Sequence, residues 1–225
     1  MTTAQGLTRD QMGAVLAQRI EPGWIVNLGI GIPILASNFL RPEDDITLTS
    51  ENGVIGYGGL AAEGQEDPDL VNAGVQATTL NPGGTIVHHA DSFALIRRGL
   101  VDATILGAYE VARDGSFANW KTTNDGMGNM GGIGGAMDLA ACAKRIFIAM
   151  EHVTRDGQAR LVEHCSLPVT APSGVVLVVT DLGVIAVKDG EFILEEYAPG
   201  VEIADIVAKT GAPLRISDSV HPVAV

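Results

Sequence analysis

A carboxylate followed by Asn-Gly stands directly behind a short apolar run: Ile46-Thr47-Leu48 leads into Thr49-Ser50-Glu51-Asn52-Gly53. In open α/β sheets, reacting groups gather where strands end, so this position is suited to chemistry. An unperturbed glutamate has a pKa of about 4.3 and can attack a carbonyl without a general base. Two glycine-bearing segments could face it with backbone amides: Asn27-Leu28-Gly29-Ile30-Gly31-Ile32-Pro33, and the loop from Gly126 to Gly135, which leads into Ala136. Successive amides of this kind form oxyanion pockets, and one well-aimed donor is worth about 3 kcal/mol in a transition state. The combination is suited to acyl transfer. The plainer alternatives are a solvated turn glutamate, a tight strand-helix turn at Gly29 and Gly31, and a flexible surface loop before Gly134 and Gly135.

The elements that would position these groups follow from periodicity and punctuation. Thr8-Arg9-Asp10-Gln11 reads as a capping box ahead of a helix carrying Met12, Val15, Leu16 and Ile20. Trp24–Leu28, Ile46–Thr49, Thr85–His89, Val101–Leu106 and Arg145–Met150 read as strands. Helices are expected after Pro33, after an Asp91-Ser92 cap, from Ala136 to Ala143 and from Glu202 to Lys209. Residues 53–84 are rich in glycine and read as a loop. From Leu161 onward the texture turns to β, with turns at Asp181-Leu182-Gly183 and Asp189-Gly190. The sum is one α/β domain over residues 1–225: a largely parallel open sheet flanked by helices, with a C-terminal antiparallel β excursion.

Composition narrows the function further. With 14 basic against 27 acidic residues the formal charge is −13, which disfavours nucleic acid and anionic membranes as partners. The two cysteines, Cys142 and Cys165, make no disulfide framework, and His88, His89, His152 and His164 match no metal spacing. On a strand, His88 and His89 would face opposite sides. Asp138 is expected either to brace the glycine loop or to be an ordinary first-turn acid. Gly29-x-Gly31-x-Pro33 lacks the third glycine of a dinucleotide fingerprint. No basic leader or apolar run of about 20 residues stands out, so a cytoplasmic protein without a membrane span is expected.

Seven segments then converge on one family: Asn27–Pro33, Ser50-Glu51-Asn52-Gly53, Asn72-Ala73-Gly74, Ala90–Ala94, Leu106-Gly107-Ala108, Ala118-Asn119-Trp120 and Gly134-Gly135-Ala136-Met137-Asp138-Leu139. In that order they resemble the β subunit of 3-oxoacid CoA-transferases, the group including succinyl-CoA:acetoacetate and 3-oxoadipate CoA-transferases. The resemblance runs from about Thr8 to Leu214 and implies the CoA-transferase-like (NagB/RpiA-like) fold. It also implies a ping-pong transfer of CoA from an acyl-CoA, with succinyl-CoA as donor, to a short 3-oxo acid through a glutamyl-CoA thioester on Glu51. Gly135 matches the family's oxyanion donor and Asn27 an asparagine of the pocket, while Gly29, Gly31, Asn52, Gly134 and Ala136 are the expected substrate and CoA contacts. CoA and acyl-CoA enter as substrates, with no permanently bound cofactor. An α subunit is implied as partner, in a heterodimer or heterotetramer. The chain departs from the pattern at Val75, where the family has a CoA-contacting lysine, and by three extra residues before Gly134. The rival functions are an acyl-CoA hydrolase using the same glutamate, a non-catalytic CoA-binding subunit, and a dinucleotide oxidoreductase.

Overall fold

The computed structural model describes residues 6–122 and 133–224. Its elements run α1 (Arg9–Ala17), β1 (Ile25–Leu28), a 3-10 segment Pro33–Phe39, β2 (Thr47–Thr49), β3 (Val54–Leu60), β4 (Thr78–Ile86), α2 (His89–Arg97), β5 (Ala103–Leu106), β6 (Glu110–Ala112) and β7 (Phe117–Ala118). The second half comprises α3 (Ala136–Cys142), β8 (Ile146–Ala149), β9 (Leu161–Val162), β10 (Val175–Val179), β11 (Gly183–Lys188), β12 (Glu191–Tyr197), α4 (Ile203–Lys209) and β13 (Leu214–Pro222).

Ten strands form one sheet in the order β13-β12-β11-β10-β8-β5-β1-β2-β3-β4. Its middle, from β10 through β8, β5 and β1 to β2, is parallel. β5 and β8 are buried at every residue, as strands covered on both faces must be, which explains why they are apolar apart from Thr104. Antiparallel pairs extend both sides: β11 and β12 beyond β10, as expected, and β3 and β4 beyond β2. β6, β7 and β9 make a separate three-stranded sheet. The capping box of α1 forms as the residues require, with Thr8 Oγ1 accepting from the Gln11 amide at 3.2 Å and Gln11 Oε1 from the Thr8 amide at 2.8 Å. Behind it Met12, Val15 and Leu16 are fully buried.

Several expectations need correction. The stretch 53–84, expected as a loop, supplies β3 and β4. Glycines at 56, 58, 59, 83 and 84 erase the alternation that would have marked them, and β3–β4 pairing shifts register twice. At Gly56, with φ of 76°, a side chain would meet Gly84 Cα at 2.9 Å, so the ribbon depends on bare backbone there. The strand expected through His89 stops at Ile86, and α2 begins earlier than Asp91. His88 is the cap, its Nδ1 accepting from the Ala90 amide at 3.2 Å, and its ring stacks on His89 with centroids 4.4 Å apart. The pair are neighbours at a helix start, not residues on opposite faces of a strand. The segment after Pro33 winds as a 3-10 helix, and β13 follows α4 without an apolar alternation to announce it.

Two local features hold the carboxyl edge of the sheet. At Gly53, φ is 107° and an added Cβ would lie 2.0 Å from the Val87 carbonyl, while the Val87 amide donates to the Gly53 carbonyl at 2.9 Å. The turn after β2 is thus clamped to the entry of α2. After β8, His152 is fully buried, its ring nitrogens 3.0 Å from Thr180 Oγ1 and 3.0 Å from Thr210 Oγ1. Burial, helped by the Lys209 charge, pushes its pKa down to about 4, so the clamp works with a neutral ring.

Gly53→Ala is expected to lower unfolding free energy by about 2–4 kcal/mol, because strain and a backbone collision combine. Gly31→Ala, with φ of 90° and open space around it, should cost only about 1 kcal/mol. Urea titrations of both variants check the ranking. For His152 the unfolded chain takes up its proton near pH 6.5 and the folded chain only near 4. Stability should therefore fall as pH drops through that window, by on the order of 3 kcal/mol. His152→Gln should flatten that part of the curve.

Candidate active site

Glu51 follows β2 at the carboxyl edge of the parallel strands, and its neighbours hold it there. Ser50, almost fully buried, accepts the Ala73 amide at its Oγ (2.8 Å) and the Ser92 hydroxyl at its carbonyl (2.9 Å). Asn52 donates from Nδ2 to the Val71 carbonyl at 2.7 Å. These bonds tie the Glu51 turn to the loop before β4 and to α2, leaving the Glu51 side chain as the one that faces the cleft.

Burial raises the pKa of that carboxyl, against hydrogen bonds from its own backbone and from the Asn27 side chain, which lower it. Asn27, in the middle of the sheet, is fully buried and also donates from Nδ2 to the Thr49 carbonyl at 3.1 Å. Opposite, a side chain at Gly135 would meet Glu51 Oε1 at 3.1 Å and Phe93 Cζ at 3.1 Å. Glycine is what lets the backbone before α3 lie against the carboxylate.

Beneath Glu51 lies a polar row that sequence reasoning missed. Thr49, Asn27 and Thr104 are register partners across β2, β1 and β5. Asn27 Oδ1, both threonine hydroxyls and the Tyr57 hydroxyl are sealed from solvent with no hydrogen-bond partner among the described residues. Burial and the Glu51 charge push the Tyr57 phenol up. Leaving such atoms unmatched costs about 1–3 kcal/mol each, so a polar row inside an apolar sheet points to a role at the site above it. Threonine is an ordinary strand residue, so nothing in its spacing marked the row.

A cleft of about 1020 Å³ opens over this edge, lined by Glu51, Gly29, Ala73, Gly135 and Ala136 among others. Gly29 reaches it with its amide already donated to the Ile105 carbonyl at 2.8 Å, and the Ala136 amide is directed to the Ile133 carbonyl at 3.3 Å. Gly31, Asn52 and Gly134 do not line it; Asn52 acts as a strap, and Gly31 and Gly134 take positive φ at turns beside it. Gly126, Gly128, Gly131 and Gly132 of the glycine loop lie outside the described residues. Asp138 pairs with Arg97 at 2.8 and 3.3 Å, joining α3 to α2. Cys142 and Cys165 are free thiols, and no metal-binding cluster of His, Cys, Asp or Glu occurs among the described residues. No helix among them is long and apolar enough to cross a membrane.

A carboxyl whose pKa is raised by burial and drawn down by an amide predicts a mutational signature. Asn27→Ala should push the Glu51 pKa further upward, read as the carboxyl titration in carbon NMR with Glu51→Gln for assignment. An unmoved midpoint would remove Asn27 as its partner.

Comparisons with known proteins agree with the sequence resemblance. The family model for coenzyme A transferase matches residues 9–209. The B-type subunit of the 3-oxoadipate CoA-transferase of Pseudomonas putida is 40% identical over 95% of this chain and 99% of its own length. The beta subunit of the acetate CoA-transferase of Escherichia coli is 42% identical over 93% and 94%. The B-type subunit of a probable succinyl-CoA:3-ketoacid coenzyme A transferase of Bacillus subtilis is 42% identical over 94% and 97%. Among solved structures, an acyl-CoA transferase from Escherichia coli O157:H7, in a thioester complex with CoA, superposes with a TM-score of 0.72 at 24% identity, over the whole of this chain and 44% of that longer one. Glutaconate coenzyme A-transferase from Acidaminococcus fermentans gives 0.71 at 19% identity, over 99% of this chain and 91% of its own. At those identities the structures attest to the fold, while the sequence relatives span the chain end to end: the protein belongs to the coenzyme A transferase family.

Proposed function

We propose that this chain, acting as one unit over residues 1–225, is the β subunit of a cytoplasmic CoA-transferase that moves CoA from succinyl-CoA to a short 3-oxo acid, acetoacetate or 3-oxoadipate. The observation that carries the reading is the Glu51 carboxyl, half-buried in the cleft, its pKa raised by burial and drawn down by the Asn27 side chain, and lying against the backbone of Gly135. The relatives are named as B-type or beta subunits, which supports a partner α subunit, in a heterodimer or heterotetramer.

The steps balance without an energy source. The Glu51 carboxylate attacks the thioester carbonyl, expelling CoA as thiolate and leaving a mixed anhydride. The thiolate attacks the glutamyl carbonyl of that anhydride, forming glutamyl-CoA and releasing the first acid as carboxylate. The acceptor acid then attacks the glutamyl thioester, and the same two steps run in reverse. One thioester replaces another. Taking the carboxylate out of water strengthens its interactions with nearby dipoles, and keeping water from the anhydride is what separates transfer from hydrolysis. Gly135 is the oxyanion donor in this scheme, worth about 3 kcal/mol. Gly29 and Ala136 contribute shape, and CoA comes and goes as substrate.

Incubating the chain and its α partner with succinyl-CoA, then digesting, should yield the Glu51 peptide carrying CoA, reducible by borohydride. Glu51→Ala should lose the adduct and about 10⁴-fold or more of the exchange rate. An unmodified peptide during turnover sinks the covalent mechanism. Stoichiometric CoA release without acceptor acid would identify a hydrolase instead.

A further inference from the structure

We propose that Arg155 and Arg160 form a carboxylate subsite in the Glu51 cleft, which holds the far carboxylate of a dicarboxylic acyl group and so selects dicarboxylic over monocarboxylic substrates. The proposal rests on the reading of Glu51 as acyl acceptor and adds a substrate class to it. Both arginines line the same cleft as Glu51.

Charge is the first argument. In a chain of net charge −13, Arg9, Arg19, Arg41, Arg97, Arg113 and Arg215 each hold a carboxylate. Arg98, Arg145, Arg155 and Arg160 hold none among the described residues; of these four, Arg155 and Arg160 line the cleft, and Arg160 Nε is sealed from solvent with no hydrogen-bond partner there. A guanidinium presents a planar fork matched to a carboxylate, so an unmatched one inside a cleft is a natural receptor for an anion. The carboxylates nearby are otherwise engaged. Glu151 pairs with Arg9 at 3.4 Å, and Asp181 accepts the His152 amide at 2.7 Å.

Rigidity is the second. Arg155 sits on a tight turn closed by the Thr154 amide to the Gln158 carbonyl (2.8 Å) and the Gly157 amide to the Thr154 carbonyl (3.0 Å), and Arg160 lies just beyond it. Arg160 is fixed on both sides of its backbone, donating to the His152 carbonyl at 3.2 Å and accepting from the Val111 amide at 2.9 Å. A receptor held in this way loses little entropy on binding.

Placement is the third. Arg155 and Arg160 follow β8 and Glu51 follows β2, and all three line one cleft. A diacid held by its acyl carbon at Glu51 presents its second carboxylate to the cations that share that cleft, and Arg9, the other arginine there, already holds Glu151.

The test uses the complex of this chain with its α subunit, carrying Arg160→Gln, Arg160→Lys or Arg155→Gln. The KM for 3-oxoadipate and for succinyl-CoA should rise tenfold or more in Arg160→Gln, less in Arg160→Lys. Values for acetoacetate and acetyl-CoA should stay within about twofold. A parallel rise for every CoA thioester, absent with acyl-pantetheine lacking the phosphates, would assign the arginines to CoA and overturn the carboxylate subsite. Unchanged constants in both arginine variants, or a wild-type enzyme indifferent to the second carboxylate, would also overturn it. CoA adduct formation on Glu51 from acetyl-CoA separates the two levels: retained in Arg160→Gln, it shows an intact fold and chemistry. Its absence from the wild type would instead refute the acyl-acceptor reading beneath.

Discussion

Drawing one carboxyl group partly out of water, while hydrogen bonds oppose the upward pull of burial on its pKa, is the constraint around which the rest of this molecule is arranged. Burial raises the Glu51 pKa, and a protonated acid is a poor nucleophile. The opposing contribution comes from the Asn27 amide and from Glu51's own backbone. Both depend on where the chain turns after β2. That turn itself depends on Gly53, whose backbone conformation lets Val87 approach, and on hydroxyl and amide straps from Ser50, Asn52 and Ser92. None of these groups reacts in the proposed scheme. They fix where the reacting group stands, and the parallel core provides the rigid edge that they brace against.

The polar row across β2, β1 and β5 shows what such an arrangement costs. A sheet optimised for stability would place valine or isoleucine at Thr49, Asn27 and Thr104, since each buried polar atom without a match is a penalty. The apolar strands β5 and β8, together with the fully buried side chains of α1, supply the compensating burial. His152 follows a related logic at the other side of the cleft. There a polar ring is buried neutral, matched on both nitrogens, and it fixes the turn bearing Arg155 and Arg160.

Legibility in the sequence followed physical signal strength. The parallel core was readable because strands buried on both faces are mostly apolar, as Ile146–Met150 is. Glu51 stood out because Ser-Glu-Asn-Gly behind an apolar run combines a turn with a charge. Glu51 and Gly135 line one cleft, whereas Gly31 and Asn52 stand beside it. What stayed hidden had been masked by other demands. Glycine erased the alternation in β3 and β4, the two threonines looked like ordinary strand formers, and a histidine pair read as strand became the opening of a helix. Arg155 and Arg160 were isolated charges in a turn, and only the fold sets them beside Glu51.

The outermost strand on the β2 side has a further consequence. β4 is exposed along most of its length and carries Leu80 and Ile86 at its surface, which would ordinarily invite an incoming chain to continue the ladder. Midway along it stands Asn81-Pro82-Gly83-Gly84. Proline lacks the amide hydrogen a visiting strand would need, and the irregular ribbon around the glycines spoils the flat template that stacking requires. At the opposite border, Pro213 and Pro222 bracket β13. A wide sheet whose two rims are both interrupted by proline is guarded against end-to-end self-assembly.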